Sequence, residues 1–145
     1  RVELNGTNAK SILTIKTNRR GDGEAKITDI IVNGSMNQIL AKTTDLLGDL
    51  SVTGVLKKLQ LDDMSDNHVI TIGPHATAKD TLTVTMDQVQ NLAFTSQTPI
   101  KSFTVAEWLD TDDDPDQLIA PWVKTLNSKR MKLMEGHRPS NESKI

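Results

Sequence analysis

Residues 29–34 read DIIVNG, and residues 49–54 repeat the pattern as DLSVTG, 20 positions further along the chain. The same offset relates Met36, Ile39 and Ala41 to Leu56, Leu59 and Leu61. Each copy holds two segments in which apolar and polar residues alternate, the pattern of a strand with one buried face. A repeat this short cannot bury its own apolar face, whereas copies stacked in parallel about 4.8 Å apart cover one another. The doublet therefore predicts an all-β fold, a right-handed parallel β-helix (solenoid) with rungs of roughly 20 residues.

The alternation continues beyond the doublet, with a strand expected roughly every 9 to 12 residues. Gly34 and Gly54 fit the corners of such a coil, because glycine tolerates the positive φ that a sharp change of direction requires. The same Asn33-Gly34 pair could instead close an antiparallel hairpin. A β-sandwich is therefore the alternative fold.

The composition favours the solenoid and excludes several classes of function. Aromatic residues make up only 3% of the 145 residues, and a narrow solenoid interior is filled by stacked aliphatic side chains rather than by rings. The net charge of −2 provides no basic field for nucleic acid. The absence of cysteine excludes disulfides, thiol catalysis and zinc-cysteine sites. No window reaches the roughly 18 apolar residues of a spanning helix, so we expect no membrane span.

The chain divides into one structured domain and a polar end. Residues 1–130 are expected to form the β-solenoid repeat domain, with an insertion at about 108–121 where the strand rhythm breaks. Residues 131–145 are expected to be a polar C-terminal tail. Because the first residue is Arg1 rather than Met, we expect the chain to be part of a longer protein.

Two segments on either side of an acidic spacer carry a resemblance to a known family. Residues 107–112 read EWLDTD, and residues 120–126 read APWVKTL. Together with the doublet they resemble β-helical segments repeated in very large exported proteins of Planctomycetes-type bacteria, over about residues 27–130. In that family a Lys-Gly-Asp turn usually follows the Pro-Trp element, whereas residues 127–130 here read NSKR. The resemblance implies a module of a surface or extracellular structural protein without an assigned enzymatic activity.

The acidic spacer is the densest run of hard oxygen ligands in the chain. Carboxylates at alternate positions suit a calcium loop, and the candidate ligands are Asp110, Asp112, Asp114 and Asp116. An EF-hand loop also needs glycine at its sixth position and glutamate at its twelfth, but those positions hold Pro115 and Pro121. We therefore expect a solvated acidic loop, with calcium binding as the alternative.

A second acidic pair suggests a different chemistry. Asp62 and Asp63 invite comparison with β-helical polysaccharide hydrolases, which use one exposed carboxyl group as acid and another as base. Asp45 and Asp87 are available to complete such a set, although no aromatic residue is close to the pair in the sequence. Trp108 and Trp122 could stack on sugars, but we expect them to close the insertion against the coil.

Taken together, these patterns predict a noncatalytic structural or adhesive β-helix module of a longer exported or cell-surface protein. The alternatives are a carbohydrate-active β-helix enzyme and a calcium-dependent binding module. The expected partners are neighbouring repeats of the same parent chain or other copies, with carbohydrate as a further candidate and nucleic acid excluded. The resemblance implies an extracellular or cell-surface location.

Overall fold

The structure, a computed structural model, describes residues 1–18, 20–65, 68–132 and 140–141, and for 131, 132, 140 and 141 it describes the backbone only. In these ranges the chain forms strands, turns and bends and contains no helix. The strands, in chain order, are β1 (Val2–Thr7), β2 (Ile12–Thr14), β3 (Ala25–Ile27), β4 (Ile30–Gly34), β5 (Met36–Ala41), β6 (Thr44–Leu46), β7 (Leu50–Val52), β8 (Leu56–Leu61), β9 (Val69–Ile72), β10 (Leu82–Gln90), β11 (Ala93–Ser96), β12 (Ile100–Leu109), β13 (Gln117–Ile119), β14 (Leu126–Lys132) and β15 (Ser140–Asn141).

These strands stack into parallel sheets that run along the length of a solenoid. One sheet has seven strands in the order β1-β4-β7-β9-β11-β13-β15, and a second has six in the order β14-β12-β10-β8-β5-β2. A third, two-stranded sheet pairs β3 with β6. Every described strand pair is parallel, and neighbours in a sheet come from successive coils. The predicted parallel β-solenoid is confirmed, and the β-sandwich alternative is wrong.

The doublet sets the register of this stack. Val32 pairs with Val52, and Val52 pairs in turn with Ile72, so the 20-residue offset places like residues on successive rungs. In the six-stranded sheet, Ile39 pairs with Leu59 at the same offset. All five side chains are at most 1% exposed. Each coil therefore covers the apolar face of its neighbour, as the repeat predicted.

Each coil has a third side that the repeat did not reveal. Leu46 in β6 forms a bridge to Met64, and Met64 forms a bridge to Val89 near the end of β10. Val89 pairs with Trp108, which continues the column into β12. In the later coils the second and third sides are one continuous strand, so β10 has nine residues and β12 has ten. The coil is thus three-sided, with two sides fused in its second half.

The core changes in character along the solenoid. Its first part is aliphatic, while the rings lie together further along, where Phe94 meets Phe103 edge to face with centroids 5.1 Å apart. Trp108 lies next to Phe103, with ring centroids 6.2 Å apart. By contrast, the inward-facing residues of the first coil, Val2, Leu4, Leu13, Ile15 and Ile27, are only half buried.

Glycines line the corner that leads from the seven-stranded sheet to the six-stranded sheet. Gly34 has φ of +145°, as expected. The same expectation for Gly54 is wrong, because its φ is not positive. Gly54 is needed for a different reason: a Cβ there would lie 2.3 Å from the Ser35 Oγ of the preceding coil. Gly73 repeats this close approach, with a Cβ 2.1 Å from the Thr53 carbonyl oxygen.

The interruption expected at about 108–121 is shorter than the sequence indicated. Trp108 still belongs to β12, and residues 117–119 already form the next strand, so the loop itself spans 110–116. Of the tail expected at 131–145, residues 131–132 belong to β14 and residues 140–141 form β15. The rest of that segment lies outside the described residues.

Candidate functional site

Three carboxylates meet on the solenoid surface where the six-stranded sheet ends. Asp62 and Asp63 directly follow β8, and Asp87 lies in β10 on the neighbouring coil. Gln60 pairs with Thr85. Asp62 and Asp87 each follow two residues later, so the same register places them side by side. One oxygen from each of the three carboxylates lies within 4.8 Å of the other two. We refer to Asp62, Asp63 and Asp87 as the acidic cluster.

Backbone hydrogen bonds fix the acidic cluster to the stack. The amide of Asp87 donates to the carbonyl oxygen of Asp62 at 2.8 Å. The amide of Gln88 donates to Oδ1 of Asp63 at 3.1 Å, and the amide of Leu46 donates to the carbonyl oxygen of Asp63 at 2.8 Å. The cluster is therefore held by three successive coils rather than by a free loop.

Burial and mutual repulsion raise the pKa of two of the three carboxyl groups. For Asp62, partial burial has the largest effect on the pKa, followed by the charges of Asp45, Asp87 and Glu24. For Asp63, burial again raises the pKa most, and the hydrogen bond from the Gln88 amide opposes it. The ionised cluster is thus an unfavourable arrangement that protonation or a cation would relieve.

Basic residues flank the cluster in two adjoining shallow grooves. One groove of about 330 Å³ is lined by Asp62 and Asp87 together with Lys42 and Lys129. The other, of about 320 Å³, adds Arg130 beside Asp87 and Lys129. None of the described residues that line either groove is aromatic. The surface offers charges of both signs but no ring on which a sugar could stack.

Two kinds of chemistry suit the acidic cluster. Carboxylate oxygens are the ligands that calcium prefers in proteins. Alternatively, paired carboxyl groups about 5 Å apart are typical of retaining glycoside hydrolases, in which one of the pair has a raised pKa and acts as the acid. The structure brings Asp87 to the pair that sequence analysis considered for catalysis, and Asp45 is close enough to raise the pKa of both.

The acidic loop at 110–116, the alternative calcium site, has a different geometry. Asp110 and Asp116 are 3% and 2% exposed, whereas Asp112 and Asp114 lie further out, with Oδ1 of Asp112 accepting a hydrogen bond from the Asp114 amide at 3.0 Å. Among the described residues, three carboxylates converge at the acidic cluster and not in this loop. Two of the four carboxylates are thus buried rather than solvated as expected, and calcium binding by the loop stays the alternative.

Trp108 attaches this loop to the core. Its side chain is fully buried, and its Nε1 donates to Oδ2 of Asp116 at 2.5 Å. Burial raises the pKa of Asp116, although the bonds from Trp108 and from the Leu92 amide oppose the rise. Trp108 thus closes the insertion against the coil as predicted. Trp122 does not, since it is 41% exposed.

Sequence analysis missed a set of corner side chains that bond to the next coil. Oδ1 of Asp29 accepts the amide of Asp49 at 3.0 Å, and Oδ1 of Asp49 accepts the amide of Val69 at 2.8 Å. Further along the same corner, Oδ1 of Asn91 accepts the amide of Thr111 at 2.7 Å. The recurrence of aspartate at positions 29 and 49 was the signal that could have revealed this role.

No protein-family model, curated protein or solved structure matches the chain. The resemblance to repeat segments of Planctomycetes-type bacteria therefore stays a prediction. Within the described ranges, no helix is long and apolar enough to cross a membrane.

Proposed function

We propose that this chain is a noncatalytic structural module, a β-solenoid that serves as a rigid spacer or adhesive surface in a longer exported or cell-surface protein. The observation that carries the proposal is the use of polar side chains to join one coil to the next. Asp29 and Asp49 each bond to the coil that follows, and Oγ of Ser35 accepts the amide of Val55 at 3.2 Å. The aspartate that recurs in the doublet thus stabilises stacking.

The proposed partners are neighbouring repeats of the same parent chain or other copies. Inward-facing residues of the first coil, such as Leu4 and Leu13, stay half buried, while their counterparts Val32 and Ile39 in the second coil are fully buried. Covering this apolar face with another coil would stabilise the assembly by about 25 cal/mol for each Å² of apolar surface that is buried. A solenoid grows in this way, because each unit contacts only its neighbours.

Two experiments test this proposal. In the first, the protein is incubated with neutral and acidic polysaccharides, and the release of reducing ends and unsaturated uronates is measured. We expect no release above the protein-free control. In the second, antibodies against the module label intact, unpermeabilised cells of the source organism. Labelling is expected only at the surface, and labelling that requires permeabilisation would contradict an exported location.

The second candidate is a carbohydrate-active enzyme centred on the acidic cluster. The observation that favours it is the meeting of Asp62, Asp63 and Asp87 within 4.8 Å, with the pKa of the first two raised. If the polysaccharide assay detects cleavage, Asp62→Asn should abolish it. Asp113→Asn is the matched control, because Asp113 is an exposed aspartate of the 110–116 loop. Cleavage lost in the first variant and kept in the second would establish the enzyme and refute the noncatalytic role.

A further inference from the structure

A groove of about 520 Å³ on the six-stranded sheet is lined by three lysines and adjoins the acidic cluster, sharing Lys42 and Gln60 with the 330 Å³ groove there. It lies on the outer face where β2, β5 and β8 run side by side. Its lining includes Lys16, Lys42 and Lys58, and none of the described lining residues is acidic. Three positive charges thus face one groove in a chain whose net charge is −2.

These lysines are not neutralised by the described part of the chain. The ion pairs found there join Arg1 to Glu3, Lys57 to Asp80, and His68 to Asp49, so Lys16, Lys42 and Lys58 have no described carboxylate within 4.0 Å. Lys42 and Asp62 follow β5 and β8 on neighbouring coils, yet no described ion pair links them. The positive charge of the groove is therefore available to a ligand.

Two of the lysines occupy equivalent positions on adjoining coils. Thr14 pairs with Leu40 on the neighbouring coil. Lys16 and Lys42 each follow two residues later, and both are exposed. An anionic group bound between these two positions would be attracted to both lysines.

The rest of the groove has the mixed character that suits a sugar chain. Leu40 provides a half-buried apolar floor, and Thr14 and Gln60 provide a hydroxyl and an amide beside it. Sugars present apolar C–H faces as well as hydroxyl groups, so both features have a use. No described lining residue is aromatic, although stacking on aromatic side chains is a main source of affinity for single-stranded nucleic acid.

We propose that this groove binds an anionic polysaccharide whose carboxylate or sulfate groups pair with Lys16, Lys42 and Lys58. Lysine presents a compact charge on a flexible stem, which can follow anionic groups spaced along a polymer. Because neighbouring strands lie about 4.8 Å apart, a chain that crosses the strands passes the lysines of successive coils. This proposal deepens the adhesive part of the proposed function and rests on it, whereas the spacer role requires no ligand.

The test measures binding by calorimetry to polygalacturonate, which carries carboxylates, and to dextran sulfate, with neutral dextran as the uncharged probe. The groove variant combines Lys16→Gln, Lys42→Gln and Lys58→Gln. If each exposed charge contributes a factor of about three to the affinity, the triple variant should bind the anionic polymers roughly 30-fold more weakly than the parent. Comparison of the two anionic polymers then shows whether carboxylates or sulfates are the preferred groups.

A second triple variant removes the same charge elsewhere. It combines Lys26→Gln, Lys101→Gln and Lys124→Gln, three exposed lysines that do not line the groove. We expect its affinity to stay within about threefold of the parent, and both variants should keep the parent melting temperature.

Three results would overturn the proposal. They are no binding of either anionic polymer by the parent, equal weakening in the two triple variants, and tighter binding of a single-stranded oligonucleotide with the same lysine dependence. Any of these would leave the spacer role standing, because that role is tested by the cleavage and cell-surface assays.

Discussion

Replacing Val52 by aspartate tests the stack at its centre. Val52 is 1% exposed and pairs with Val32 on one side and Ile72 on the other. Removing the apolar side chain forfeits about 1.5–3 kcal/mol of burial. Placing an unpaired carboxylate among these stacked apolar side chains, away from water, costs several kcal/mol more. The sum is comparable with the roughly 5–15 kcal/mol that stabilises a whole domain, so we expect Val52→Asp to unfold the central coils.

The assay is urea unfolding followed by far-ultraviolet circular dichroism, with two controls. Thr71→Asp introduces the same charge on the outer face of the next coil, where Thr71 is exposed and pairs with Ser51. It should change the free energy of unfolding by less than about 0.5 kcal/mol. Lys57→Ala removes the half-exposed lysine that pairs with the largely buried Asp80 at 3.5 Å. Because the amides of Ala76 and Thr77 still donate to the Asp80 carboxylate, the change should cost about 1 kcal/mol. Equal losses in Val52→Asp and Thr71→Asp would refute the assignment of inward and outward faces.

The remaining predictions concern the acidic loop, a glycine corner and the acidic cluster. Calcium should change the melting temperature of the parent and of Asp112→Asn equally, whereas a saturable rise that disappears in Asp112→Asn would establish a calcium loop, since a hundredfold excess over the dissociation constant gives about 2.7 kcal/mol. Gly73→Ala should cost about 1–3 kcal/mol, because the new Cβ would lie 2.1 Å from a carbonyl oxygen of the preceding coil. Gly21→Ala, whose Cβ meets nothing within 4 Å, should be nearly neutral in the same urea titration. Because the folded-state pKa of Asp62 is raised, its charge destabilises the fold above that pKa, and the penalty fades as the pH falls through it. Asp62→Asn should therefore raise the melting temperature at pH 7 and lose that advantage in acid, and an advantage that grows in acid would contradict the shift.

The parallel stack could be predicted from the sequence because the core is periodic. Each inward side chain in the doublet has a counterpart 20 residues away, and Ile30, Val32 and Ile39 pair with Leu50, Val52 and Leu59 as that offset requires. Steric and hydrophobic demands repeat from coil to coil, so they leave a pattern in the sequence.

The third side of each coil left no comparable pattern. Its column passes through Leu46, Met64 and Val89, whose spacings along the chain are 18 and 25 residues. Loops of different length enter at different corners, so the offset between coils is not constant. Of the two buried residues of β6, Thr44 and Leu46, one is polar, so the segment shows no apolar alternation to detect.

The acidic cluster could be predicted in part. Asp62 and Asp63 stood out as adjacent carboxylates, but only the register of β8 with β10 shows that Asp87 joins them. The lysine groove had no signal in the sequence at all. Lys16, Lys42 and Lys58 are spaced by 26 and 16 residues, and they meet only because the first coil is longer than those of the doublet.

The most direct test of the parallel stack is a distance measurement between two outward positions one coil apart. The chain contains no cysteine, so Ser51→Cys and Thr71→Cys can carry nitroxide labels without further changes. These residues are paired on neighbouring strands, about 4.8 Å apart, and strong dipolar broadening of the electron paramagnetic resonance spectrum is expected. Labels at Ser51 and Thr104, which lie in different sheets, should show much weaker coupling. Strong broadening in the first pair alone would support the solenoid, whereas equal spectra for the two pairs would contradict it.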